Sequence, residues 1–110
     1  MKQSEFQLCH DNGVESVTEA LIGYDGLSIA ISRDNENAWD LTLSEVCLAL
    51  GAQVPVIGEW VDNPYTRWNE INPDLPDTEI LAYGPPPTSG TRDAFVELAM
   101  HAGCGDLDYV

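Results

Sequence analysis

Apolar positions in this chain fall into short blocks separated by glycine, proline and asparagine, and the spacing within each block predicts its element. Ser4 and Gln7 have the spacing of a capping box ahead of Phe6, Leu8 and Cys9, and Gly13 is placed to end a left-handed turn, so a short helix is expected over residues 4–12. From Val14 to Leu21 and again from Leu27 to Ile31, apolar and β-branched residues favour strands, with bends at Gly23 and Gly26. Arg33 to Asn37 is a polar turn. Thr42 and Glu45 make a second capping box opening onto Leu43, Val46, Cys47 and Leu50 and closed by Gly51, which marks this helix best of all.

Val54 to Trp60 reads as a strand that Pro55 confines to a sheet edge, because proline has no N–H for the ladder. A loop follows from Asn63-Pro64 past Trp68 to Pro76, its aromatics Trp39, Trp60, Trp68 and Tyr65 expected to pin it to the core. Ile80 to Tyr83 is a short apolar run expected as a strand, and Gly84-Pro85-Pro86-Pro87 breaks the chain. From Thr91, residues Ala94, Phe95, Leu98, Ala99 and Ala102 recur at helical spacing until Gly103. The tail Gly105 to Val110 has no evident partner. Strands alternating with helical stretches predict an α/β arrangement, with no internal repeat.

The length of 110 residues fits one domain large enough for a core. Four basic residues (Lys2, Arg33, Arg67 and Arg92) against 19 acidic ones give a net charge of −15. That field repels a nucleic-acid backbone and excludes nucleic acid as a partner. No apolar run is long enough for membrane insertion, and Met1–Glu5 does not open the apolar stretch of a signal peptide. Cys9, Cys47 and Cys104 allow one disulfide with a thiol left over, and their spacing neither chooses the pairing nor matches a metal motif. No cofactor is called for.

One segment carries chemistry. In Ser89-Gly90-Thr91-Arg92 a glycine stands between two hydroxyl residues at an expected helix start. Gly90 permits close backbone approach, the first helical N–H groups are unsatisfied, the macrodipole favours negative charge, and the Ser89 and Thr91 hydroxyls can donate. Arg92 adds a charged donor. Against the chain's own −15 charge, an anion site has to be built from such local groups. Taken alone, the triplet is as compatible with a plain helix cap.

Longer stretches add to this: Met1-Lys2-Gln3-Ser4-Glu5-Phe6, Ile22-Gly23-Tyr24-Asp25-Gly26-Leu27, Trp68-Asn69-Glu70-Ile71-Asn72-Pro73 with Leu75-Pro76, and Tyr83-Gly84-Pro85-Pro86-Pro87-Thr88-Ser89-Gly90-Thr91-Arg92-Asp93-Ala94-Phe95. In this order they resemble the periplasmic phosphate-binding subunits of phosphate-specific ABC transporters. The resemblance implies part of a type 2 periplasmic-binding-protein fold, α/β, mainly one lobe with the crossover strand region. Residues 1–33 would be the end of the first lobe and the crossover strand, and residues 34–110 the start of the second. It implies binding of inorganic phosphate through Ser89, Gly90, Thr91 and Arg92, delivery to an ABC transporter permease, a periplasmic setting and no catalysis. The family often has an arginine four residues before the serine, where Pro85 stands here, and Arg92 is the expected substitute. Family members are about three times longer, so a partial chain is implied.

Two other readings stand beside it. Strands deprived of their neighbours would leave edges open, making the chain a homo-oligomer with no tight ligand of its own. A phosphoryl-transfer enzyme, with Ser89 or Thr91 as nucleophile, lacks a nearby base and a P-loop lysine. Asp93 is a candidate acceptor for a proton retained by phosphate, Asp25 reads as a turn residue bonding its own backbone, and His10 and His101 are expected at helix C-termini.

Overall fold

In a computed structural model, which describes residues 1–107, the elements in chain order are α1 (Gln3–Asp11), α2 (Leu43–Leu50), β1 (Gln53–Val56), β2 (Glu59–Asp62), α3 (Trp68–Ile71), α4 (Gly90–Phe95), a π-helical turn (Val96–Met100) and α5 (His101–Leu107). Helices and one small sheet are the make-up of a partial α/β lobe, as expected.

Helix α1 forms where predicted, but Lys2 takes the N-cap position in place of Ser4, because the Glu5 carboxylate accepts the Lys2 N–H at 2.9 Å. Its end is a Schellman turn: Gly13 adopts φ +88° and donates to His10, while the Val14 N–H reaches back to the Cys9 carbonyl, each at 3.0 Å. The α2 capping box is present as read. Thr42 N–H donates to Glu45 at 2.8 Å and Glu45 N–H donates to the Thr42 hydroxyl at 3.2 Å. Gly51 closes the helix with φ −66°. It is needed for space rather than for a left-handed turn, since a Cβ there would lie 2.8 Å from the Cys47 carbonyl oxygen.

The stretch Val54–Trp60 is not one strand. It turns at Ile57-Gly58, where both residues have positive φ (51° and 79°), to give an antiparallel hairpin with Val56 opposite Glu59 and Val54 opposite Val61. Asn63 N–H donates to the Ala52 carbonyl at 3.0 Å, which makes every second pair from there hydrogen-bonded and leaves Pro55, opposite Trp60, at a non-hydrogen-bonded site. Pro55 therefore costs the ladder nothing. The buried core is Val46, Cys47, Ala49, Val54 and Leu75, where α2, the hairpin and the following loop meet.

That loop is held as its polar residues dictate. The Asn63 side-chain amide donates to the Leu48 and Gly51 carbonyls, both at 2.8 Å, finishing the end of α2. Trp39 meets Trp68 edge-on at 5.3 Å, so these two pin the loop as expected, whereas Trp60 lies half-exposed on the hairpin. Burial pushes the Glu45 carboxyl up, but bonds from the Thr42 N–H and the Asn72 amide outweigh it and hold Glu45 below its usual range. Glu70 is held low by the Thr66 and Arg67 N–H groups, at 2.7 and 2.9 Å.

Three further expectations fail. Residues 14–21 and 27–31 form no strand, because no neighbouring strand is there to complete a ladder. Ile80–Tyr83 is likewise no strand; pairing stops at a single bridge between Arg67 and Glu79. Gly103 does not end the last helix. A Cβ on Gly103 would overlap the Leu43 carbonyl, so the glycine lets α5 lie directly on the first turn of α2. Contact there outweighs glycine's tendency to stop a helix. His101 is consequently mid-helix rather than at a C-terminus, and of the expected tail, residues 105–107 continue α5 while residues 108–110 lie outside the described residues.

The cysteine pairing, open in sequence, is Cys47–Cys104, joining α2 to α5, with Cys9 free. The Cα radius of gyration is 18.0 Å, against roughly 13 Å for a closed domain of this length. Residues 14–41 form no helix or strand, and Leu21, Ile22 and Tyr24 among them are exposed.

Two outcomes follow. Ile57 is β-branched in the left-handed region, so Ile57→Asn, which makes the favoured Asn-Gly turn, raises stability by about 1 kcal/mol in urea unfolding; an unchanged midpoint contradicts the strained turn. Because Glu45 and Glu70 are both held below their unfolded values, their contribution is fully present above the ordinary carboxylate pKa of roughly 4.3 and is lost as pH falls through the folded values. The urea midpoint is therefore flat from neutrality to about pH 5 and drops below it, and Glu70→Gln shallows that drop.

Candidate functional site

The expected anion segment is a loop that turns directly into α4. The Pro86 carbonyl accepts the Ser89 N–H at 2.9 Å, closing a tight turn through Pro87 and Thr88. Ser89 is the N-cap, with φ −88° and ψ 132°. Its hydroxyl accepts the Thr91 N–H at 3.2 Å, and its carbonyl accepts the Arg92 and Asp93 N–H groups at 3.1 and 3.3 Å. One donor of the first turn is left over: the Gly90 N–H meets no protein acceptor among the described residues. Nothing lies within 4 Å of the point a Gly90 side chain would take.

Arg92 leans back over this loop, its guanidinium donating to the Pro85 carbonyl at 3.4 Å. It makes no ion pair among the described residues. Its charge thus sits beside residue 85. Ser89, Gly90, Thr91 and Arg92 are brought together as sequence neighbours on one turn, with the serine hydroxyl already engaged as a cap.

Asp93 goes elsewhere. Lys2 is held above its usual range by its hydrogen bond and ion pair with Glu97, at 3.2 Å, and Asp93 adds to that field from the same side of the helix. A carboxylate that lines a groove together with Gly90 and Thr91 is Asp25. A groove of about 280 Å³ runs between Asp25–Leu27 and Gly90–Thr91, floored by Ala94 and Leu98. Asp25 behaves as read, its own Gly26 N–H bonding it at 2.8 Å. Its nearness to residue 90 was hidden, because 64 intervening residues have to fold back before the two meet.

Residues 1–107 match the family described as "PBP superfamily domain". The chain belongs to this superfamily. Among curated relatives, the protein SphX of Synechocystis sp. is 31% identical over 109 residues, which is 98% of this chain and 30% of that protein. The phosphate-binding protein PstS of Staphylococcus saprophyticus is 29% identical over 103 residues, 94% of this chain and 28% of the relative. PstS of Staphylococcus epidermidis is 28% identical over 100 residues, 91% of this chain and 27% of the relative. This superfamily chain therefore spans less than a third of the length of the curated relatives it matches. No solved structure matches it.

Proposed function

We propose that this chain is the part of a phosphate-binding protein that contributes Ser89, Gly90, Thr91 and Arg92 to capture of inorganic phosphate. The observation that carries the reading is the Gly90 N–H, left without a protein acceptor among the described residues at the start of the helix that also carries Arg92. Two of the relatives named above are phosphate-binding proteins by name, and they support the same ligand. In this reading Gly90 N–H and the Thr91 hydroxyl donate to phosphate oxygens, the Ser89 hydroxyl donates its proton outward while still accepting from Thr91, and Arg92 turns from the Pro85 carbonyl to the anion.

The remaining ligands come from other parts of the protein. In the whole protein residues 1–33 are the end of one lobe and become the crossover strand only when polypeptide outside this chain pairs with them, and residues 34–110 begin the second lobe. The bound phosphate is handed to an ABC transporter permease outside the cytoplasmic membrane, and no bond is made or broken. A second reading, favoured by the open apolar segment at residues 27–31, is that the 110-residue chain alone binds nothing tightly and self-associates.

Calorimetric titration of the chain with phosphate and with sulfate separates these readings. Micromolar phosphate binding that is abolished in the Ser89→Ala/Thr91→Val protein and weakened about tenfold in Arg92→Gln is the expected result. Phosphate binding that survives the double substitution removes the loop from the site, and absence of heat at millimolar phosphate leaves only the second reading.

A further inference from the structure

Residues 90–107 form one continuous rod, α4, the π-helical turn and α5, with the Ser89–Arg92 loop at one end and Cys104 near the other. Gly90 and Cys104 stand about 20 Å apart along it at the helical rise per residue. Among the described residues, the only buried one in the rod is Gly103. Towards the loop, its polar ties to the rest of the described chain are exposed: Lys2 meets Glu97 at 3.2 Å, and Arg92 meets the Pro85 carbonyl at 3.4 Å. Exposed ties of this kind contribute little. The rod is therefore fixed at Gly103 and Cys104, far from the loop it carries.

The framework on the other side of the clasp has contacts of its own. Val46, Cys47, Ala49, Val54 and Leu75 all come from residues 46–75. The Asn63 bonds to α2, the Asn72 bond to Glu45 and the Trp39–Trp68 pair likewise involve no residue of the rod. Opening the disulfide frees the rod and leaves those contacts in place. The two sulfurs are unequal: Cys47 has no exposed surface and Cys104 is half-buried. A dithiol reductant thus attacks the Cys104 sulfur, and Cys47 leaves as a thiolate and takes a proton. The reductant's second thiol then displaces Cys104 as a thiol, so that two electrons pass to the protein and the reductant becomes a disulfide.

We propose that the Cys47–Cys104 disulfide is a redox switch on the Ser89–Arg92 loop, the oxidised chain holding phosphate and the dithiol form releasing it. The inference rests on the phosphate reading given above. It confines tight capture to oxidising surroundings, where such a bond persists.

The test uses the Cys9→Ser chain, which keeps a single pair of cysteines, titrated calorimetrically with phosphate when oxidised and after reduction with dithiothreitol. Cys47→Ala/Cys104→Ala in the same background is titrated in both buffers, and near-ultraviolet circular dichroism follows the Trp39–Trp68 pair. Reduction is expected to weaken phosphate binding about tenfold, as the loop spends less time in its competent position. Reoxidation restores the affinity, the tryptophan signal persists throughout, and the double-alanine chain is weak in both buffers. Equal affinity in the two forms overturns the switch and leaves the phosphate reading standing, whereas no binding by the oxidised chain overturns both. A tryptophan signal that vanishes on reduction also overturns the switch and makes the bond a staple of the whole fold.

Discussion

The structure hangs on the place where α5 crosses the start of α2. Gly103 brings the two backbones together because any side chain would collide with the Leu43 carbonyl, and one residue on, Cys104 bonds Cys47 in the middle of the core. The cross-link spans 57 residues of sequence, and on a chain-entropy view it removes about 4 kcal/mol of freedom from the unfolded chain. For a chain whose buried core is a handful of residues, that constraint rivals the packing itself. It also couples distant parts: the helix clasped at Cys104 is continuous, through the π-helical turn, with the turn that carries Ser89–Arg92.

From that fixed end the rest can be followed outward. α2 supports the hairpin, Asn63 ties the hairpin's exit to the end of α2, and Glu45 and Glu70 gather the loop through N–H and amide donors. The loop proposed to hold the anion stands at the free end of the clasped helix, facing Asp25–Leu27 across a narrow groove. Residues 14–38 lie outside this framework, and apolar side chains among them, Leu21, Ile22 and Leu27, are left exposed.

Features whose determinants lie within a few residues were legible in sequence. The Thr42–Glu45 box, the Gly13 stop and the Ser89 cap each need only partners two to five positions apart, and each is present. The family was legible through longer motifs. What was not legible depends on contacts between remote segments. Gly103 reads locally as a stop and acts as a spacer; Ile57 gives no turn signal, yet the hairpin register imposes one. Residues 14–31 read as strands because they have strand composition, but a strand exists only with a neighbour to bond. The position of Asp25 beside Gly90, and the choice of Cys104 over Cys9 as the partner of Cys47, are likewise products of the tertiary fold.

Amide hydrogen exchange in the oxidised and reduced chain tests the α2–α5 clasp most directly. The account predicts that the slowest-exchanging amides of the oxidised protein lie in α2 and α5, and that reduction speeds their exchange together with that of the π-helical turn. Slowest exchange in α1 or in residues 14–31, or protection of α5 that survives reduction unchanged, would contradict it.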